Sequence, residues 1–283
     1  MTVSGFPDKR SLYFGSAEEK QDGRSKMDER AIWNQAADHF QKIVDEKDEG
    51  YTNRLIEFLC EQGALKRGIR VADIGCGAGK YAVHFAKRGC SLLLVDFSEN
   101  MMAYTKKNLS SYGIETEEMV CDWLAADIEK NGWKKSVDLA FASMTPAVST
   151  EEDIFKLCEI SRKYCFMSKF LSRKNLLFQK IALQCGVEEE QEKETSEELL
   201  RPLAYLLSLR YLPQIRCVPY GWENRYTPEE AETYLLNSNL GVSIREKGME
   251  KELTKILKKL AEKDGCVKEK VEANAFWMLW ETE

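Results

Sequence analysis

Three glycines occupy alternate positions, Gly75, Gly77 and Gly79, directly after the short run Val71 to Ile74, which carries one acid, Asp73. Glycine at a strand-to-helix turn lets backbone approach a ligand closely and aims helix N-terminal amides at it. Such a turn holds a nucleotide or nucleoside. A second acid, Asp96, ends the next apolar run in "LLLVDFS", 21 residues beyond Gly75. A carboxylate placed there accepts hydrogen bonds from two ribose hydroxyls. Capping the helix that starts near Ser98 is its alternative role.

Spacing separates the sites that use this turn. A phosphate-cradling P-loop needs Gly-x-x-x-x-Gly-Lys followed by Ser or Thr, but Gly79-Lys80 is followed by Tyr81, and Ile74 stands five before Gly79. The dinucleotide fingerprint G-x-G-x-x-G fits poorly, because the third glycine sits at 79 rather than 80. The string Asp73-Ile74-Gly75-Cys76-Gly77-Ala78-Gly79 instead resembles motif I of the class I S-adenosylmethionine-dependent methyltransferases, in which an acid lies two residues before the first of three alternating glycines. The resemblance implies S-adenosylmethionine as cofactor, held by Asp73, Gly75, Cys76, Gly77 and Gly79. That molecule has no phosphate, so the loop's work is steric, and Asp73 helps hold the cationic amino end. It covers residues 50 to 170 well and 226 to 283 loosely.

The same resemblance assigns further cofactor contacts. Asp96 takes the ribose, and Phe97 and Met101 line the approach of the adenine; plain helix packing is the alternative for Met101. In "VCDWL", Asp122 accepts from the adenine amino group and Trp123 packs on the ring. A turn Asp and a core Trp are the alternatives. The run "FASMTPAVS" places Ser143, Met144, Thr145 and Pro146 at the carboxyl end of a strand, where ligands of such sheets sit. Ser143 and Met144 count among the cofactor contacts. An Asn-Pro-Pro-Tyr type motif does not occur in that run, which argues against a DNA adenine methylase.

Methyl transfer from a sulfonium is an in-line substitution that needs alignment and desolvation, with a base only for some acceptors. The catalytic residue stays unassigned; His39, Ser143 and Thr145 are weak candidates. His84, in "YAVHFA", reads as a packed helix histidine. Substrate contacts are expected among Tyr13, Trp33, Tyr51, Tyr205, Tyr211, Tyr220, Trp222 and Tyr226, with Arg210 and Arg216 as anion binders. Core packing and surface solvation are the respective alternatives.

These residues require a particular scaffold. The spacing predicts helices from Met27 and over Tyr51 to Glu61. Strands follow at "IRVADIG", "CSLLLVDF", "TEEMVCDW", "SVDLAFASM" and "YCFMSKF", alternating with helices capped by Ser98 and Thr150. Short apolar strands alternating with helices mean a parallel sheet covered on both faces. After Phe170 we expect a helix over 175–184, a charged linker in "EEEQEKETSEE", an apolar helix at "LLRPLAYLLSLRYLP" and an unpatterned "QIRCVPYGWENRY". A helix led by Pro228, a strand at "VSIRE", a helix over 249–263 and a closing strand at "NAFWMLW" complete the chain.

The expected fold is therefore α/β, a Rossmann-like three-layer sandwich around a mostly parallel seven-stranded sheet. A helical N-terminal extension and a helical insertion before strand six are added to it. The units read as 1–50 extension and lid, 51–170 cofactor-binding core, 171–225 helical cap on the substrate side, and 226–283 completion of the sheet. Nine scattered cysteines without a CxxC pair give neither a disulfide framework nor a metal site, and point to a reducing cytoplasm. No signal-like apolar segment and no 18-residue apolar run are present, so membrane spanning is not expected. A net charge of -6 disfavours a nucleic-acid partner. We therefore read a cytoplasmic methyltransferase with a small-molecule acceptor, its oligomeric state open. A transfer RNA or protein methylase is the alternative of the same class. An NAD-dependent oxidoreductase or a non-catalytic cofactor-binding module is the alternative of another.

Overall fold

The computed structural model describes residues 26–45, 49–188 and 196–282. Tyr13 and most of the charged run 188–198 lie outside them. After helices α1 (Lys26–Asp45) and α2 (Glu49–Glu61) come strands β1 (Arg70–Ile74), β2 (Ser91–Asp96), β3 (Thr116–Val120), β4 (Val137–Ser143) and β5 (Ser161–Asn175). They pair in parallel in the order β3-β2-β1-β4-β5. The order reverses between β1 and β4, so the crevice beyond the carboxyl ends of these two strands is where such a sheet receives a ligand.

Alternate residues of each strand feed two buried layers. Val71, Leu92, Leu94, Leu139 and Phe166 pack under α2, α3 (Lys80–Ala86) and α4 (Glu99–Leu109). Ala72, Leu93, Val95, Ala140 and Met167 pack under α5 (Glu151–Ile160), with Leu206 of α7 (Ser196–Ser208) beside them. This is the expected Rossmann-like sandwich. Caps seen in the sequence set the helix starts. Ser98 accepts from the Met101 amide, and Thr150 forms a reciprocal capping box with Asp153. Among the described residues no helix is long and apolar enough to cross a membrane.

Beyond β5 the chain departs from expectation. The segment 171–225 is not wholly helical: β5 runs on to Asn175, α6 (Leu176–Cys185) and α7 follow, and then come β6 (Gln214–Pro219) and β7 (Trp222–Tyr226). Both pair antiparallel with the long β8 (Val267–Glu281), which also pairs antiparallel with β5. The sheet thus has eight strands, not seven. β6 lies at the sheet edge and is mostly exposed, so it lacks the apolar run that marks a central strand. The expected strand at "VSIRE" is instead part of helix α9 (Asn239–Glu246). Leu240 and Ile244, four apart, are both buried, and Ser238 caps the helix by accepting from Gly241.

α6, α8 (Pro228–Leu236), α9 and α10 (Glu250–Leu260) share one cluster with Val267, at the start of β8, so the extended ends of β5, β7 and β8 carry a second small lobe. At its centre Glu269 is 1% exposed. Its carboxylate accepts from Asn175 Nδ2 at 2.6 Å, Asn224 Nδ2 at 2.7 Å, Tyr234 Oη at 3.1 Å and Tyr226 Oη at 3.3 Å. One acid thereby joins β5, β7, β8 and α8. Replacing Glu269 by Ala strands these donors and should lower stability by about 3 kcal/mol. Amide exchange should quicken over 222–244 but not over β1 to β4; equal change in both would show that the lobe does not depend on this acid.

Candidate functional site

The glycine turn is fastened to the end of β2. The Val95 carbonyl accepts from the Gly75 amide at 2.7 Å and the Cys76 amide at 3.2 Å. Asp96, the last residue of β2, then divides its two oxygens: Oδ2 accepts from the Gly77 amide at 2.8 Å and Oδ1 from the Ser98 amide at 2.9 Å. From α4, Thr105 Oγ1 donates to the Gly77 carbonyl at 2.7 Å and Asn108 Nδ2 to the Ala78 carbonyl at 2.9 Å.

Gly75 and Gly77 both take left-handed backbone, at φ 70° and 56°, for different reasons. A Cβ on Gly75 would stand 2.0 Å from Thr145 Oγ1, so this glycine lets the loop after β4 close over the turn. A Cβ on Gly77 would meet nothing within 4 Å. The bare backbone at Gly77 fits close approach by a ligand rather than protein packing.

The electrostatics suit a cation. Asp73 is 2% exposed, and its Oδ2 has no hydrogen-bond partner among the described residues. Burial, and next the charge of Asp96, push its carboxyl up to about 8. An acid raised in the fold favours the folded state at low pH, and that contribution is lost as pH climbs from 3.8 towards 8. Asp96 is also raised by burial, against the lowering effect of amides at Ser98, Gly77 and Phe97. Burial and then the two acids push the Cys76 thiol well up, which keeps it protonated and unreactive. A ligand bringing positive charge would meet a buried acid whose Oδ2 has no hydrogen-bond partner among the described residues.

α1 lies across this turn. Arg30 donates to Glu99 at 2.9 Å, Asn34 accepts from Ser98 Oγ at 2.6 Å, Tyr104 donates to Asp38 at 2.6 Å, and Gln41 pairs with Asn108. Ala37 packs on Ala78 and Met101. These residues occupy one face of α1, but the face is largely polar, so apolar periodicity did not reveal them. Met101 therefore packs between helix and turn. Phe97 lies beneath the Arg30 guanidinium, 4.8 Å from its ring centre.

The other expected residues divide. Asp122 caps a 3-10 turn, accepting from the Leu124 amide at 3.1 Å. Trp123 is a correction: it is 2% exposed, stacks with Trp133 in the opposite layer and donates to the Asp153 carbonyl. Its ring faces the core and is closed to an adenine. Ser143 Oγ pairs with Ser168 Oγ at 2.8 Å, and Met144 takes left-handed backbone at φ 51°. Thr145 covers Gly75, its hydroxyl accepts from Ala147, and its carbonyl accepts from Lys169 Nζ at 2.6 Å, a contact no motif announced. His39 is exposed on α1 with its ring edge-on to Phe40, and His84 lies in the last turn of α3.

Of the aromatics, Tyr51, Tyr220, Phe170 and Trp222 form one connected series, with Tyr51 and Tyr220 stacked at 3.9 Å. Trp33 packs on α1's own cluster. Tyr226 stacks on Tyr234 inside the lobe, and Tyr205 packs in the layer under α5. Tyr211 and Arg210 line a small pocket with Tyr164, near the amino end of β5 and away from the glycine turn. Arg216 rests over Phe58, 4.4 Å from its ring centre. Among the described residues no group of three His, Cys, Asp or Glu could hold a metal ion.

A family model described as "Methyltransferase domain" matches residues 71–163. A 23S rRNA (uracil(1939)-C(5))-methyltransferase of Shewanella amazonensis is 30% identical over 71 residues, 25% of this chain and 16% of its own. A probable cobalt-precorrin-6B C(15)-methyltransferase (decarboxylating) of Methanosarcina acetivorans is 29% identical over 83 residues, 29% of this chain and 45% of its own. The chain thus spans less than half the length of these relatives. The crystal structure of Synechocystis magnesium protoporphyrin IX methyltransferase with bound S-adenosylhomocysteine aligns at a TM-score of 0.48 and 16% identity, covering 69% of this chain and 92% of that one.

The two glycines give a contrast in stability. Gly75→Ala combines left-handed strain with a clash and should cost about 2–4 kcal/mol. Gly77→Ala should cost about 1 kcal/mol, from backbone strain alone. Thermal unfolding of both variants measures this; equal losses would contradict the placement of Thr145 over Gly75.

Proposed function

We propose that the chain, whose residues 71–163 match a family model described as "Methyltransferase domain", is a class I S-adenosylmethionine-dependent methyltransferase that transfers a methyl group from that cofactor to a small-molecule acceptor. The observation that carries this reading is the buried Oδ2 of Asp73, without a hydrogen-bond partner among the described residues, beside a turn that a second acid, Asp96, holds. A cationic ligand without phosphate suits two acids at the turn, whereas the diphosphate of NAD would be brought against them.

When bound, S-adenosylmethionine supplies a methyl group on a sulfonium, and the acceptor's lone pair takes it as the carbon–sulfur bond breaks. The residues present fit this cofactor. Asp73 would hold its amino end, Gly77 would bring bare backbone against it, and Asp96, with lone pairs to spare beyond its two amide bonds, would take the ribose. Asp122 remains the candidate for the adenine amino group. Met101 and α1 exclude water over the turn, and Thr145 and Met144 border the carboxyl end of β4. None of His39, Ser143 and Thr145 stands out as a base, so alignment and desolvation supply the acceleration.

The acidic chain, with 47 Asp and Glu against 41 Lys and Arg, supports a small acceptor over a nucleic acid. The Shewanella relative's name favours an RNA acceptor as a second reading. RNA binding that weakens steeply with salt would support it.

Calorimetry tests the first reading. S-adenosylmethionine and S-adenosylhomocysteine should bind and NAD should not; the reverse would indicate an oxidoreductase. Binding without release of S-adenosylhomocysteine in the presence of acceptors would indicate a module that only holds the cofactor. Asp96→Ala should weaken cofactor binding by about 1–3 kcal/mol, part of it through a loosened Gly77 amide, and unchanged affinity would remove Asp96 from the site.

Affinity should also depend on pH. Below about 8 Asp73 is protonated in the ligand-free fold, and a cationic ligand must displace that proton. Affinity for S-adenosylmethionine should therefore rise from pH 6 towards 8, by at most about tenfold per unit, and then level off. Asp73→Asn should flatten the rise. A flat profile in the unaltered protein would contradict the role given to Asp73.

A further inference from the structure

Two cysteines and a tryptophan meet in the layer under α5, opposite the layer that α3 and α4 cover. Cys158 stands in the last turn of α5, Cys165 lies on β5, and Trp280 is its neighbour across the ladder on β8. All three are buried. Cys165 Sγ is within hydrogen-bond reach of the Leu157 carbonyl, at 3.4 Å, and of the Cys158 sulfur. The Trp280 indole donates its N–H to Cys158 Sγ at 3.3 Å.

These contacts prepare the two sulfurs differently. An indole has one donor and no acceptor, and a neutral thiol sulfur accepts weakly. A buried N–H spent on sulfur is better satisfied when that sulfur carries charge. Lys135 brings a cation to the same place, donating to the Cys158 carbonyl at 3.1 Å. The hydrogen bond from Cys165 holds the Cys158 thiol below its ordinary range, against burial and the charge of Glu159 and with help from Trp280 and Lys135. Burial, and next the hydrogen bond to Cys158, push Cys165 well up. One sulfur is readied as a nucleophile while its neighbour stays a thiol.

A route for a small molecule lies alongside. A cavity of about 290 Å³ at the amino end of β5 is lined by Tyr164, Tyr211 and Trp280 among others. Trp280 also touches Cys158, and the Tyr211 hydroxyl is raised by burial and then by the charges of Cys158 and Cys165. Two walls of the cavity therefore adjoin the thiols.

We propose that Cys158 and Cys165 form a redox-active dithiol, which a small hydroperoxide entering by this cavity converts to a disulfide. The Cys158 thiolate attacks one peroxide oxygen. The sulfur–oxygen bond forms as the oxygen–oxygen bond breaks, and the departing alkoxide takes up the proton that Cys158 released. The Cys165 sulfur then attacks the Cys158 sulfenic acid, and the expelled hydroxide leaves as water with the Cys165 proton. Two thiols and one hydroperoxide thus give a disulfide, an alcohol and water. None of this rests on the methyltransferase reading.

The test treats the folded full chain with hydrogen peroxide, unfolds it in iodoacetamide and digests it with trypsin, which cuts after Lys156, Arg162, Lys163 and Lys169. Peptides 157–162 and 164–169, with one cysteine each, should appear joined with loss of a pair of hydrogens, and dithiothreitol should separate them. Tryptophan emission should change in step with the joining. In Cys165→Ser, dimedone should label Cys158 as its sulfenic acid. Lys135→Gln, which can still donate to the Cys158 carbonyl, should slow the joining about two- to threefold, and Lys135→Arg should restore it. Recovery of both peptides alkylated after the exposed Cys60 and Cys217 have been oxidised would overturn the proposal. So would a cross-link from either cysteine to a different partner, or dimedone on Cys165 in Cys158→Ser with none on Cys158 in Cys165→Ser.

Discussion

The carboxylate of Asp96 is the joint on which the site depends. One oxygen holds the Gly77 amide and the other the Ser98 amide, so a single side chain ties the glycine turn to the start of α4 at a fixed distance from β2. Charge-assisted bonds of this kind are stronger than neutral ones, and burial strengthens them further. Thr105 and Asn108 complete the frame from α4, and α1 lies over it through Asn34 and Gln41. A turn held this way presents its backbone rigidly, which close approach by a ligand requires.

Burying a second acid beside the first has a consequence. Burial, and next the charge of Asp96 acting in surroundings poorer than water at screening it, drive the carboxyl of Asp73 up to about 8. A fold does not keep such a group for stability alone, since an apolar residue would avoid the burial penalty. Perturbed acids in a crevice mark functional sites, and this pair lies at the topological switch point of the sheet.

The fold from β1 to β5 was legible because β1, β2 and β4 are mostly apolar runs and α4 and α5 start at the caps Ser98 and Thr150. The glycine turn was legible because left-handed glycines at fixed spacing leave a sequence trace. Trp123 was misread because a tryptophan after a turn acid has the same sequence on either face of the sheet, and here it entered the core. β6 and β7 were hidden because an edge strand exposes one side and needs no apolar run. The helix at "VSIRE" was hidden because V-S-I alternates at strand period, while its anchoring pair, Leu240 and Ile244, has the helical spacing. The grip of α1 on α4 is largely polar, apart from Ala37 on Met101, and polar faces carry no periodic signal. The cluster around Glu269 joins Asn175, Asn224 and Tyr234 from distant points in the chain, which only tertiary folding brings together.

We hold that an adenosyl ligand with a cationic tail lies on bare backbone between two buried acids. A crystal structure of the chain with S-adenosylhomocysteine would decide this. Ribose oxygens are expected within hydrogen-bonding reach of Asp96 and the amino group beside Asp73, with the ligand against Gly77. Density for the ligand elsewhere on the molecule, or a ribose turned away from Asp96, would contradict it.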